Sequence, residues 1–125
     1  MQYPNNLRYT KTHEWVQKLD ETTARMGLSD FAQHELGDIV YIALPEAGDA
    51  VTAETSLGDV ESVKTVSELI SPVTGTVEKV NAALSDAPEL VNEDPYGAWV
   101  IEVSGVTAWA ETMDAAAYEA FCKAE

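Results

Sequence analysis

Apolar residues along this chain come in short runs rather than long stripes. Runs at 14–19, 23–28, 39–44, 57–63, 66–70, 76–80 and 99–103 are separated by clusters of Gly, Pro, Asn and Asp, a pattern that predicts β-strands joined by turns. Two segments have helical spacing instead. One covers 30–36, with Ser29 placed as N-cap and Gly37 as stop, and the other begins around Asp114. In the second, Tyr118, Phe121 and Cys122 fall at i, i+3 and i+4, the stripe that faces a core, so Cys122 reads as a packing residue. The stretch 85–97, with Pro88, Asn92, Asp94, Pro95 and Gly97, predicts a surface connection with little regular structure.

Lys64 lies between two of these strand-like runs, in Gly58-Asp59-Val60-Glu61-Ser62-Val63-Lys64-Thr65-Val66-Ser67-Glu68-Leu69, and is the only Lys or Arg between Arg25 and Lys79. The chain is expected to reverse at Lys64-Thr65, which puts the ammonium at a hairpin tip. Two-residue hairpin turns favour Asn-Gly, Asp-Gly or Gly-X, because their central residues need positive φ. Lys-Thr meets neither requirement, and a local rule broken at one defined place points to a functional site. The same residue also fits an ordinary exposed lysine in a polar turn. Gly-Asp-Ile-Val at 37–40, Gly-Asp-Ala-Val at 48–51 and Gly-Asp-Val at 58–60 on one side loosely match Gly-Thr-Val at 75–77 and Gly-Ala-Trp-Val at 97–100 on the other. Two sets of short strands related through one hairpin suggest a flattened sandwich or barrel with the tip at one end.

With 125 residues the chain fits one domain, 1–125, large enough to bury a core without a metal or disulfide staple. It has 7 basic and 22 acidic residues, a formal charge of −15. That excess opposes nucleic acid and anionic membranes and favours solubility, a monomeric state and brief docking with basic partners. No apolar run nears the roughly twenty residues of a membrane span. Cys122 is the single cysteine, so no intrachain disulfide forms. The opening Met1 to Leu7 is polar and contains a proline, unlike a signal or transit peptide, and a cytoplasmic protein is expected, with a mature mitochondrial form as the alternative.

Enzymatic chemistry finds little support. No Gly-x-Ser-x-Gly elbow, phosphate-cradling glycine loop or Gly-x-Gly-x-x-Gly fingerprint occurs. His13 and His34 are the only histidines, and His13-Glu14 lacks the second histidine of a zincin helix. Among so many carboxylates, no pair stands out for acid/base work. A single amine at an exposed tip remains, and acylation would turn that lysine into a long flexible arm.

Six segments carry a family pattern: Tyr9-Thr10-Lys11-Thr12-His13-Glu14-Trp15-Val16, Leu36-Gly37-Asp38-Ile39-Val40, Leu44-Pro45-Glu46-Ala47-Gly48, Glu61-Ser62-Val63-Lys64, Ser71-Pro72-Val73-Thr74-Gly75 and Val91-Asn92-Glu93-Asp94-Pro95-Tyr96-Gly97. Over nearly the whole chain, in order and spacing, the sequence resembles the glycine cleavage system H proteins. The resemblance implies a mainly β, lipoyl/biotinyl-like flattened β-barrel or sandwich (a barrel-sandwich hybrid) with a short internal helix and a C-terminal helix. It implies a non-catalytic lipoyl carrier, with lipoate amide-linked to Lys64. The implied partners are a pyridoxal-phosphate glycine decarboxylase, a folate-dependent aminomethyltransferase, dihydrolipoamide dehydrogenase and a lipoate-attaching enzyme. Between them the arm would shuttle the aminomethyl group of glycine.

Carried over by motif, Glu61 and Gly75 are expected to be read by the lipoate-attaching enzyme, and Gly75 also to permit a tight turn opposite the lysine hairpin. Glu14 and Glu68 are expected to line a pocket for the loaded arm. His34 is not assigned as a ligand, and Trp15 and Trp99 are assigned to the core. Two segments depart from the family pattern: Arg25-Met26-Gly27-Leu28 replaces a more β-branched run, and Gly97-Ala98-Trp99 is one residue short of the usual Gly-x-Gly-Trp spacing. These departures leave open a diverged H-like carrier in a lipoate relay. A biotinyl domain is the runner-up carrier, although Val63-Lys64-Thr65 lacks flanking methionines. An unmodified acidic interaction module is the reading from a different class.

Overall fold

The computed structural model describes residues 1–125. Nine strands form two antiparallel sheets. They are β1 (Arg8–Tyr9), β2 (Glu14–Asp20), β3 (Thr23–Leu28), β4 (Ile39–Ala43), β5 (Ala50–Val51), β6 (Ser56–Ser62), β7 (Val66–Ile70), β8 (Val73–Val80) and β9 (Ile101–Trp109). The larger sheet has the order β1-β2-β3-β9-β8-β5 and the smaller one the order β4-β6-β7. Inward residues of both sheets, among them Val16, Met26, Val77 and Val103 from the first and Ile42, Val60 and Leu69 from the second, meet in one core. The architecture is mainly β, a flattened barrel-sandwich whose two sheets do not close on each other. No helix is long and apolar enough to cross a membrane.

Helix α1 (Asp30–Leu36) forms where its caps predict. The Ser29 side chain accepts the Ala32 N–H, and Gly37 closes the helix with φ 79°, donating its N–H to the Gln33 carbonyl. The segment 85–97, read from sequence as irregular, instead contains most of two short helical turns, α2 (Ala83–Asp86) and α3 (Leu90–Glu93). Buried Leu84 and Val91 anchor them. Four-residue turns leave almost no periodicity for a sequence pattern to reveal. The C-terminal helix α4 (Ala115–Lys123) is capped by Asp114 and buries Tyr118 and Cys122. These join Tyr9 and Trp15 in a second, aromatic core.

The departure at Arg25-Met26-Gly27-Leu28 has a structural reason. Trp15 of β2 pairs directly with Gly27 of β3, and a β-carbon on Gly27 would lie 2.8 Å from the indole. A β-branched residue there would displace the tryptophan. Arg25 packs its guanidinium 5.0 Å from the Trp99 ring centroid and pairs with Glu102 at 2.7 Å, so Trp99 is half-buried beneath a cation rather than enclosed in the core.

Gly75 does not form the expected turn. It lies inside β8, paired with Val51 of β5, where the β8–β9 ladder shifts register between Thr74 and Thr76. A β-carbon there would come within 2.6 Å of a Val103 methyl and 2.7 Å of the Ser104 carbonyl oxygen. The glycine serves close approach of two strands.

Candidate functional site

Lys64 is exposed in the connection Val63-Lys64-Thr65 between β6 and β7, so the reversal spans three residues rather than the two expected. None of the three has positive φ. The turn is made by Ser62, whose backbone N–H donates to the Thr65 carbonyl at 2.8 Å. Its buried hydroxyl accepts the N–H groups of Lys64 at 3.3 Å and Thr65 at 3.2 Å. A hydroxyl that gathers the following N–H groups substitutes for the glycine that such turns otherwise need. Val63 N–H donates to the Asp38 carbonyl at 3.0 Å, tying the tip to the start of β4. Lys64 enters none of the ion pairs of the chain. Its Cε lies 3.4 Å from where a β-carbon on Gly37 would stand.

The Gly37 corner is held from behind by Asn92, the first residue of the Asn-Glu-Asp-Pro-Tyr-Gly segment. Its Nδ2 donates to Gln33 Oε1 at 3.0 Å and to the Gly37 carbonyl at 2.9 Å, and its Oδ1 accepts the Ile39 N–H at 2.9 Å. Nothing in the sequence reading gave Asn92 this role. The available signal was an amide residue beside a helix stop that needs both a donor and an acceptor.

Beside the tip lies a cavity of about 510 Å³. Thr12, His13 and Glu14 bound it on one side, Phe31 and Leu36 of α1 on another, and Val60, Ser67 and Glu68 on the β6–β7 side. Its lining carries the carboxylates of Glu14, Glu35, Glu68 and Glu125 and no lysine or arginine, so it favours a cationic occupant. The structure brings Glu14 and Glu68 into this one cavity and leaves His34 exposed outside it. Ser67 is three residues from Lys64, at most about 11 Å of extended chain. Glu61 follows the cavity-lining Val60 and is exposed on the opposite face of β6. Gly75 belongs to the other sheet.

Glu14 is not a surface carboxylate; it is 1% exposed. Oε1 accepts the hydroxyls of Thr10, at 2.9 Å, and Thr12, while Oε2 accepts the Ile70 N–H at 3.3 Å. The carboxylate thereby links the larger sheet to β7 of the smaller one. Burial pushes its pKa up to about 7, against the lowering effect of the Thr12, Thr10 and Ile70 hydrogen bonds. A group titrating near neutrality can meet a cation as a charge or take up a proton from it.

His13 forms a wall that sequence reasoning missed. It sits at φ 72°, uncommon for a residue with a side chain. There its Nδ1 is 2.8 Å from the Tyr118 hydroxyl and its Nε2 is 3.1 Å from the Glu125 side chain. Tyr118 in turn hydrogen-bonds the α1 cap Ser29 at 2.7 Å. The C-terminal helix is thus fastened to the cavity through one imidazole.

Fold and site define a class: a small β protein that offers one unpaired lysine at a stiff hairpin tip beside an acidic cavity. A family model described as glycine cleavage H-protein matches residues 7–125. The glycine cleavage system H protein of Lachnoclostridium phytofermentans is 48% identical over 125 residues, covering 100% of this chain and 98% of the relative. That of Brevibacillus brevis is 52% identical over 126 residues, covering 98% and 99%. The crystal structure of a glycine cleavage system H protein from Mycobacterium marinum superposes with a TM-score of 0.87 at 41% identity, covering 94% of this chain and 96% of that one. The chain belongs to the glycine cleavage H-protein family.

Proposed function

We propose that residues 1–125 act as one lipoyl carrier unit of the glycine cleavage system, with lipoate joined to Lys64 Nζ as an amide. The observation that carries this reading is an exposed, unpaired lysine on a glycine-free tip beside a carboxylate-lined cavity within reach of a lysine-borne arm. The residues present fit the group. The Lys64 side chain is exposed and enters no ion pair, and the absent side chain of Gly37 leaves room along its stem. When attached, lipoate supplies a disulfide that opens to carry a one-carbon amine. The chain supplies position and charge.

Glu14, fixed by Thr10, Thr12 and Ile70, presents a carboxylate of near-neutral pKa to an ammonium group in the cavity. Glu68 adds negative charge at the rim. Phe31, Leu36 and Val60 give the cavity apolar walls. Glu61 is assigned to recognition by the lipoate-attaching enzyme. Gly75 is assigned to the same recognition, acting through the close strand approach that it allows. The successive partners are a pyridoxal-phosphate glycine decarboxylase, a folate-dependent aminomethyltransferase and dihydrolipoamide dehydrogenase, in the cytoplasm. The carrier has no catalytic centre of its own. Tethering keeps the transferred group at high effective concentration through each visit.

The test is the intact and peptide-mapped mass of protein made with a competent lipoylating system and lipoate. One lipoyl adduct on Lys64 is expected, and Lys64→Arg is expected to keep the fold and lose all glycine-dependent turnover. An unmodified Lys64, under conditions that load a control lipoyl domain, overturns the reading. Biotin at Lys64 would replace it with a biotinyl carrier.

A further inference from the structure

Four of the seven large apolar side chains that the molecule exposes stand around Lys64: Val40 at 48%, Tyr41 at 56%, Val63 at 69% and Val66 at 63%. Their grouping follows from the register of the smaller sheet. Tyr41 of β4 pairs with Glu61 of β6, and Glu61 pairs with Val66 of β7, so the three form one cross-strand row on the outer face. The β4–β6 ladder shifts register between Ile39 and Tyr41, and β4 accordingly reads buried, exposed, exposed, buried and intermediate from Ile39 to Ala43. A bulge at Val40 turns two successive apolar side chains outward where a regular strand would turn one. Val63 adds its side chain from the tip itself.

This row is apolar at its ends and acidic at its centre. Glu61 lies within it, and Asp59 and Glu68 form the next cross-strand pair, with Asp38 exposed at the start of β4. Exposed apolar side chains grouped with charges of one sign mark a protein interaction site. The complementary surface is apolar and flanked by basic side chains. The face also selects among visitors. The cavity is bounded by Val60 and Ser67, on the inner side of β6 and β7, and of the outer face only Glu68 reaches its rim. An enzyme that works on the end of a loaded arm has no need of the outer row. One that forms a bond at Lys64 Nζ must come within a side chain's length of the backbone tip, where the row lies.

We infer that the outer row Tyr41, Glu61 and Val66, extended by Val40 and Val63, is the docking surface for the enzyme that acylates Lys64, a partner with an apolar patch bordered by basic residues. The inference rests on the carrier reading. In the reaction, deprotonated Nζ attacks the carbonyl of a lipoyl group activated as a mixed anhydride with a nucleoside monophosphate. The C–N amide bond forms, the acyl C–O bond breaks, the nucleotide leaves with the bonding electron pair, and the amine proton passes to solvent. No redox change occurs.

The experiment measures kcat/KM for Lys64 acylation by a bacterial lipoate-attaching enzyme with ATP and lipoate, read by intact mass. The chains compared are wild type, Tyr41→Ser/Val66→Thr, Glu61→Lys, and the control Leu19→Ser, an exposed apolar site on β2. Urea midpoints establish that each is folded, and Val66→Thr alone serves if the double variant is not. Modification of Lys64 by acetic anhydride reports intrinsic amine reactivity. The expected result is a loss on the order of tenfold or more in kcat/KM for the row variants, mainly through KM. Wild-type rates are expected for the control, and equal anhydride reactivity throughout. Acylated wild type with equal rates in the row variants overturns this inference alone. Loss of a dimer in the row variants, without loss of acylation, assigns the row to a second copy of this chain and overturns it too. Wild type left unacylated overturns the carrier reading and this inference with it.

Discussion

The Cε of Lys64 lies 3.4 Å from the position that a β-carbon on Gly37 would occupy, so a side chain at the helix stop of α1 would touch the lysine stem. Gly37 has φ 79° and ψ −159°, a region that is essentially glycine's alone. Gly37→Ala is expected to cost about 1–3 kcal/mol of stability and to place a methyl in van der Waals contact with the lysine stem. The urea midpoint measures the first. Slower acylation of Lys64 in the folded variant, at unchanged anhydride reactivity of other lysines, measures the second.

Glu14 makes stability depend on pH in a direction unusual for a carboxylate. Its folded pKa of about 7 lies above the ordinary 4.5, so the folded state holds the extra proton between these values. Its contribution is fully present below about pH 4.5 and is lost as pH rises through about 7, up to roughly 3 kcal/mol by linkage. Glu14→Gln removes this dependence. The variant should gain on wild type steadily from pH 5 to pH 8 in urea denaturation; a gap that stays constant across that range would contradict the assignment.

Asn92 serves three partners with one amide. Asn92→Asp keeps an acceptor for the Ile39 N–H but turns carboxylate oxygens toward the Gln33 and Gly37 oxygens. It is expected to destabilise at least as much as Asn92→Ala, on the order of 1–3 kcal/mol. Thermal midpoints of the two variants, compared side by side, decide the order.

Gly75→Ala should be strongly destabilising, because its β-carbon meets the Ser104 carbonyl and a Val103 methyl. If Gly75 acts only by letting β9 approach, the variant that remains folded at low temperature should be acylated more slowly in proportion to its displaced strands, and a compensating Val103→Ala should restore part of the rate. No recovery in that double variant would favour direct reading of Gly75 by the enzyme.

With a formal charge of −15, association with basic partners is expected to slow as salt is added. Stopped-flow association rates across ionic strength check this, and Glu61→Lys should flatten the slope.

The short apolar runs marked nearly every long strand, and the caps Ser29 and Gly37 and the start at Asp114 marked both of the longer helices, because those signals are local. The two-residue strands Arg8–Tyr9 and Ala50–Val51 went unread, as did the extension of the last strand to Trp109, since their pairing is decided by partners far along the chain. Lys64 at a hairpin tip was legible from the residues around it and Glu14 at the cavity from the resemblance, yet the burial of Glu14 was not. It comes from Ile70 approaching across the two sheets, 56 residues away. Gly75 was legible as a required glycine but for a turn, whereas its reason is a neighbour on another strand.

Ser62 gives the tip a property that a glycine turn would lack. Its hydroxyl and backbone fix Lys64 and Thr65 from one side while Asp38 fixes Val63 from the other. The lysine backbone is therefore a pivot and not a hinge. Any group carried on Nζ sweeps a shell about a stationary centre, and its freedom comes from side-chain rotors alone. For the carrier proposed above, a visiting enzyme that finds this centre would have found the whole range of the arm, and recognition of the rigid tip would be enough to locate a cargo that is itself in motion.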